Sequence, residues 1–279
     1  MPELPEVETI VRQVRPRLTG RKVTAVQLQW RGIAAHPRGV DFSRALVGAE
    51  LLSVWRRGKF FVVDLARDGV SAGHLIGHLR MSGRLYVEPV PFDPGDHVRA
   101  SVALDDGWRM HFVDPRKFGR LWCVRDASEV LGELGPEPLD EGFSLAWLTK
   151  SLRERRRSLK PLLLDQSFVA GLGNIYVDEA LWDAKLHPNR IAAALSINEI
   201  KALHRAIPKV LKRGLKNLGT SLGTGKANFY SVARHRGRNK DELKVFRRTG
   251  LPCPRCKATI KRIIVGQRST HICPKCQEI

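Results

Sequence analysis

Apolar residues recur at helical spacing near the start of the chain. Val7, Ile10, Val11, Val14 and Leu18 predict a helix over Glu6–Leu18, with Pro5 suited to its first turn. The pattern then changes to short runs rich in β-branched and aromatic residues. These predict strands at Val23–Trp30, Leu51–Arg57, Phe60–Leu65, Val98–Leu104, Trp108–Val113 and Arg120–Val124, with Asp106-Gly107 as a tight hairpin turn. Many short strands joined by turns favour an antiparallel sandwich or barrel over a parallel sheet. Beyond the Gly-, Pro- and acid-rich stretch Gly132–Gly142 the period becomes helical again, over Leu145–Arg157 and Asn174–Leu186. Val177, Ala180, Leu181 and Ala184 are expected on one face of the latter. Ser196-Ile197-Asn198-Glu199 is a capping box opening a helix through Ile200, Leu203, Ile207, Val210 and Leu211, in which Pro208 should produce a kink. Gly219–Lys240 has no clean period and reads as a long basic loop.

Charge adds a partner to this picture. The 279 residues carry 48 Lys and Arg against 28 Asp and Glu, a formal +20, and a surface with that field ordinarily meets a polyanion. The alternative is a solvated basic surface with no nucleic-acid role. No apolar run approaches the ~20 residues needed to cross a bilayer, and the acidic, proline-containing start does not resemble a signal peptide. The expected location is cytoplasmic, nucleoid-associated if the source is bacterial, with no membrane contact and a monomeric state.

Four of the five cysteines fall in the last 27 residues, which points to metal rather than disulfides. Cys253-x-x-Cys256 and Cys273-x-x-Cys276 are sixteen residues apart, the spacing of a four-thiolate zinc ribbon. Thr259–Ile272 can form the intervening hairpin, bending at Val265-Gly266-Gln267-Arg268. Four protein ligands leave no open position, so one structural Zn2+ is expected. Cys123, isolated in a strand, reads as a core residue. On these grounds alone the chain is a two-domain protein with an appended basic zinc finger, bound to nucleic acid.

Six ordered motifs carry a resemblance. Met1-Pro2-Glu3-Leu4-Pro5-Glu6-Val7-Glu8-Thr9, Arg57-Gly58-Lys59-Phe60, His78-Leu79-Arg80-Met81-Ser82-Gly83-Arg84-Leu85, Asp114-Pro115-Arg116-Lys117-Phe118-Gly119, Gly171-Leu172-Gly173-Asn174-Ile175-Tyr176 and the cysteines with Gln267-Arg268-Ser269-Thr270 resemble the formamidopyrimidine-DNA glycosylase family along the whole chain. The resemblance implies an α+β multidomain fold with an N-terminal helix-flanked antiparallel β-sandwich, a helix–two-turn–helix domain and a C-terminal four-cysteine zinc finger. The expected divisions are a catalytic sandwich at 1–132, a linker at 133–143, a helical domain at 144–246 that carries a base-capping loop at 219–240, and the finger at 247–279.

The implied activity is that of a bifunctional glycosylase and AP lyase, which excises 8-oxoguanine and formamidopyrimidines from damaged double-stranded DNA. Pro2, once Met1 is removed, would be the nucleophilic secondary amine, Glu3 a proton shuttle and Lys59 a DNA-contacting lysine that assists the chemistry. Glu6 matches a family position whose role could be helix-dipole stabilisation alone. Met81, Arg116 and Phe118 match residues that fill the hole left by a flipped nucleotide. Lys160, Asn174 and Arg268 match phosphate contacts. Read without the family, Pro2 and Glu3 open a helix, Met81 and Phe118 are most simply core, Asn174 is an ordinary N-cap, and Arg268 is a solvated turn residue. Two other readings stand beside the leading one: an endonuclease VIII-like enzyme for oxidised pyrimidines, and a non-catalytic lesion-binding protein. The Gly219–Lys240 segment, with Gly223-Thr224-Gly225-Lys226 and Phe229-Tyr230, departs from the family's base-capping loop, so lesion preference stays open.

Overall fold

The computed structural model describes residues 2–222 and 236–279. Met1 and residues 223–235, the larger part of the expected base-capping loop, lie outside the described residues. The chain divides into two compact units, Met1–Glu133 with Asn217–Arg238, and Leu134–Lys216 with Asn239–Ile279. These divisions differ from those expected from sequence. The stretch after Glu133 is no free linker, because Gly135 donates to the Gln166 carbonyl and Ala170 to the Pro136 carbonyl.

In the first unit, helix α1 (Leu4–Leu18) is followed by β1 (Arg21–Gln27), β2 (Ala34–His36), the short helix α2 (Val40–Leu46), β3 (Glu50–Arg57), β4 (Phe60–Arg67) and β5 (Val70–His78). Then come β6 (Arg84–Pro89), β7 (Val98–Leu104), β8 (Trp108–Val113), β9 (Arg120–Val124) and the single turn α3 (Ser128–Leu131). The strand order is β2-β9-β5-β4-β3-β1-β7-β8-β6, antiparallel throughout except for the β2–β9 pair. β1 passes from one layer to the other: Arg21 and Lys22 pair with β3, and Val23 to Gln27 pair with β7. The expected sandwich follows from that transfer. Alternating residues of β4 (Phe61, Val63, Leu65) face Val102 and Leu104 of β7, Met110 and Phe112 of β8, and the apolar stripe of α1 in one core. All five stripe residues of α1 are buried, each worth about 1.5–3 kcal/mol.

Within the 219–240 segment, residues 219–222 and 236–238 join this first unit. Thr220 and Arg238 form an isolated bridge, Arg238 donates to the Asn217 carbonyl, and Gly237 donates to Ser221 Oγ.

The second unit contains α4 (Leu145–Arg153), α5 (Leu159–Leu164), α6 (Asn174–Asp183), α7 (Ile197–Lys216) and the finger hairpin β10 (Lys261–Val265) and β11 (Arg268–Ile272). The predicted bend appears as a turn with positive φ at Gly266 and Gln267, the twist that suits a two-residue hairpin. α7 runs continuously through Pro208. α6 differs from the one-sided helix expected, since every residue from Ile175 to Trp182 is buried. Two of those are acids, and their partners are backbone N–H groups and cations from elsewhere. Glu179 accepts from the N–H groups of Lys244, Val245 and Phe246 and from Arg213. Burial nevertheless holds its carboxyl above the usual range. Among the described residues, no helix is long and apolar enough to cross a membrane.

Candidate active site and nucleic-acid interface

Pro2 and Glu3 are buried at the start of α1, where Glu3 is the N-cap. The acids that follow on α1 hold this end in place. Glu6, 1% exposed, accepts the Glu3 N–H on Oε2 at 2.8 Å and the Thr220 N–H on Oε1 at 2.7 Å. One carboxylate therefore fixes both the residue beside Pro2 and the base of the long basic loop, a role beyond helix-dipole stabilisation. Glu8 accepts from Arg12 and from Arg56 Nε at 3.0 Å, and Arg56 also donates to the Gly58 carbonyl at 3.1 Å. Burial would raise the Glu8 carboxyl, but the two guanidiniums outweigh it and hold it below its ordinary value. The turn that carries Lys59 is tied to α1 in this way. Glu8 and Arg56 were not singled out by sequence, because their partnership spans 48 residues.

Lys59 is 5% exposed and lies between β3 and β4, next to His78 at the end of β5. His78 was part of a motif but was not proposed as functional. Its Nδ1 accepts the Arg80 N–H at 2.9 Å, and its ring meets Phe60 edge-on at 4.6 Å between centroids. Burial, then the Arg80 and Lys59 charges, push its pKa down to about 3, so the imidazole is neutral with its proton on Nε2.

Met81 and Phe118 are not core residues. They are 44% and 47% exposed, unusual for large apolar side chains in a folded unit. The loops that carry them are cross-tied by Asp114, which is fully buried. Its carboxylate accepts from Ser82 Oγ at 2.5 Å and from the N–H groups of Arg116 (3.1 Å), Phe118 (2.8 Å) and Gly119 (2.7 Å). Gly83 completes the first loop, since a Cβ there would lie 2.5 Å from the Leu79 carbonyl oxygen. The Arg116 guanidinium sits 4.7 Å over the Phe118 ring. The structure thus brings the three expected hole-filling side chains onto two loops held by one carboxylate, exposed and pre-ordered.

In the second unit Arg268 is exposed at the first position of β11. Asn174 is the first residue of α6 rather than its N-cap, which is Gly173. Its Nδ2 donates to the Ser269 carbonyl at 2.9 Å. Lys160 is placed otherwise than expected. It is fully buried, with Nζ 2.5 Å from Asp178 Oδ1 and 3.1 Å from the Ser269 carbonyl, and an ammonium spent in this way is not presented to a phosphate.

The sulfurs of Cys253, Cys256, Cys273 and Cys276 lie within 4.8 Å of one another. Tetrahedral thiolates at ~2.3 Å from zinc stand about 3.8 Å apart, so the set fits a closed structural site. Burial would raise the Cys253 thiol, but the Cys256 N–H, the Trp182 indole and the Arg255 N–H bring it down to about 6. Burial pushes Cys273 up to about 12. The four clustered sulfurs offer the complete ligand set of one structural Zn2+. The finger's small core of Val245, Cys253, Ile260 and Cys273 includes Trp182 of α6, which joins finger and helices into one unit. Cys123 is half-buried, and burial pushes its thiol up to about 11, in keeping with a packed residue.

Three family models match the chain in succession. They are the formamidopyrimidine-DNA glycosylase N-terminal domain over residues 1–121, the formamidopyrimidine-DNA glycosylase H2TH domain over 134–225, and the zinc finger found in FPG and IleRS over 250–279. A formamidopyrimidine-DNA glycosylase of Protochlamydia amoebophila is 43% identical over 279 residues, covering 100% of both chains. The crystal structure of the MutM (Fpg) protein of Thermus thermophilus matches with a TM-score of 0.87 and 38% identity over 99% of this chain and 98% of that one. A variant Lactococcus lactis Fpg bound to DNA containing Fapy-dG matches with a TM-score of 0.90 and 33% identity, covering 100% of both. With its sandwich, its helical unit and its four-cysteine finger all matched, the chain belongs to the formamidopyrimidine-DNA glycosylase family.

Proposed function

We propose that this protein is a bifunctional DNA glycosylase and AP lyase that removes oxidised purines from duplex DNA, with the nitrogen of Pro2 as nucleophile in a chain that has lost Met1. The observation that carries the reading is the joint held by Glu6: one buried carboxylate fixes the backbone beside Pro2 and the base of the loop expected to cap the damaged base.

An α-amino group has an ordinary pKa of about 8, so a useful fraction is neutral near pH 7. Its lone pair forms a bond to C1′ of the damaged nucleotide as the glycosidic C–N bond breaks; the base leaves protonated by solvent, and the alkylated proline nitrogen passes its own proton to the Glu3 carboxylate. The sugar ring opens when the C1′–O4′ bond breaks, O4′ takes a proton from Glu3, and the proline nitrogen becomes a cationic iminium. That nitrogen is already doubly substituted and has no proton to lose. The cation therefore draws electrons from C2′, whose proton departs as the 3′-phosphate leaves. A second elimination expels the 5′-phosphate. Lys59, buried beside neutral His78, supplies positive charge near the sugar–phosphate. Met81, Arg116 and Phe118 enter the space vacated by the flipped nucleotide, with Arg116 able to hydrogen-bond the orphaned partner base. The zinc, when bound, supplies only the fixed shape of the finger that presents Arg268.

The test begins with an intact mass, to show that Met1 is absent. Borohydride should then trap a covalent adduct with DNA containing 8-oxoguanine, and Pro2→Gly or Glu3→Gln should reduce turnover by at least ~10²-fold. No adduct from native protein lacking Met1 would favour the lesion-binding reading. Faster excision of thymine glycol than of 8-oxoguanine would favour the oxidised-pyrimidine reading.

A further inference from the structure

The sequence offers Lys160 as a candidate phosphate contact, yet its ammonium is sealed inside the second unit. Asp178 receives it on Oδ1 at 2.5 Å. The other oxygen of the same carboxylate accepts the His271 N–H at 2.9 Å and faces His271 Nδ1 at 3.1 Å. Lys160 Nζ also donates to the Ser269 carbonyl at 3.1 Å, which receives Asn174 Nδ2 as well at 2.9 Å. Strand β11 is thus gripped at residues 269 and 271 by three side chains of α5 and α6. The finger turn closes on α5 as well: a Cβ at Gly266, where φ is +53°, would lie 2.8 Å from Pro161 Cγ. The exposed Arg268 projects from the short segment between these two holds.

We propose that Lys160 is a positioning residue for Arg268, acting on DNA only through the finger hairpin and never touching a phosphate itself. A buried ion pair is a costly way to fix a hairpin, since both ions must be desolvated. It has the merit here of being directional. The ammonium takes two oxygens from different elements, the Asp178 carboxylate and the Ser269 carbonyl, and sets the distance between α6 and β11. A long apolar side chain in its place would leave the Ser269 carbonyl without that donor and Asp178 as a buried charge without its counter-ion. This inference rests on the proposal that Arg268 contacts the DNA backbone.

The experiment is a double-mutant cycle on the zinc-loaded full chain with duplex containing a non-cleavable abasic analogue, read as affinity and as the slope of log Kd against log salt. Arg268→Ala should weaken binding and reduce the slope by about 0.9, the share of one phosphate. Lys160→Met should weaken binding several-fold in the native background and have almost no effect in the Arg268→Ala background. Equal losses in both backgrounds would make Lys160 an independent DNA ligand and overturn the proposal. An unaltered affinity in zinc-loaded Lys160→Met would overturn it too. An Arg268→Ala variant that binds as tightly as the native protein would instead remove the underlying reading of Arg268. Native protein supplies a second measurement that does not depend on the folding of Lys160→Met. Amine acetylation mapped residue by residue should leave Lys160 unmodified with and without DNA. Modification in the free protein that DNA suppresses would overturn the proposal.

Discussion

Asp114 in the first unit and Asp178 in the second are both buried carboxylates that organise the loops proposed to face DNA, but they draw on different donors. Asp114 is satisfied by one hydroxyl and three backbone N–H groups, so the nearby Arg116 stays exposed beside Phe118. Asp178 is satisfied by an ammonium, a backbone N–H and an imidazole, so the cation at its side is consumed. In the first case the carboxylate frees the arginine for a ligand. In the second, the exposed cation is Arg268, one residue from the carbonyl that the buried pair holds, and the contact proposed for this region falls to it. A basic residue in a DNA-binding motif is therefore not by itself a DNA contact. Which anion lies beside it, and whether that anion already has neutral donors, decides its role.

The two regions also differ in what secures them, and the largest expected effect exploits this. The Asp178 network ends on a two-stranded hairpin that packs on the cysteine cluster and its small core, whereas the Asp114 loops are built on strands of a nine-stranded sheet. Structural zinc sites are worth about 10–16 kcal/mol in apparent binding energy. Removing the metal with a strong chelator, or Cys273→Ser, should unfold the hairpin, change the emission of Trp182 and eliminate most DNA affinity. The sandwich should still show its native sheet signal. Undiminished affinity after verified zinc loss would show that the helices hold the finger without metal.

Within the sandwich, Asp114→Asn replaces an acceptor of four donors, two on each oxygen, with a group that turns an NH2 toward two of them. The expected loss is about 3 kcal/mol in urea unfolding, since hydrogen bonds to a charged acceptor are worth about 1.5–3 kcal/mol each and relaxation recovers part. Ser82→Ala removes a single partner and should cost about 1.5 kcal/mol, the low end of that range, since the other three donors stay in place. If Ser82→Ala were as damaging as Asp114→Asn, the loops would be held by the one side-chain bond and not by the set of N–H donors.

These two networks also mark the limit of what the sequence discloses. Periodicity identified α1 and most of the sandwich strands, and cysteine spacing the finger's hairpin and zinc ligands, because each depends on residues close in the chain. It did not disclose β5, whose run is broken by Gly73, His74 and Gly77, nor β6, where Arg84 and Glu88 interrupt the apolar positions. α6 was read as one-sided because Asp178 and Glu179 look like solvent-facing acids. Their partners lie up to 93 residues away, beyond any local pattern. The motif resemblance named Met81, Arg116 and Phe118, although local hydrophobicity alone favoured a core role for the two apolar ones. It set Lys160 behind Arg268 as a phosphate contact, but the burial that tells them apart depends on partners distant in the chain.

His78 supplies the smallest and most specific test of the first unit. Its neighbours Lys59 and Arg80 are cations, and burial, the first cause, opposes its protonation as well. The folded-state pKa of about 3 lies below the ordinary value of about 6.5. Below pH 6.5 the unfolded chain therefore takes up a proton that the folded chain refuses. The neutral imidazole's contribution is fully present above that value and is lost progressively as pH falls toward 3. At pH 5 the loss attributable to this one group should be about 2 kcal/mol. The measurement is the difference in urea stability between pH 7.5 and pH 5 for the native protein and for His78→Gln, which keeps an acceptor for the Arg80 N–H but cannot titrate. The native protein should lose about 2 kcal/mol more than the variant. Equal losses would mean that His78 ionises freely in the fold. Lys59 would then sit in a wetter and less confined setting than its 5% exposure implies.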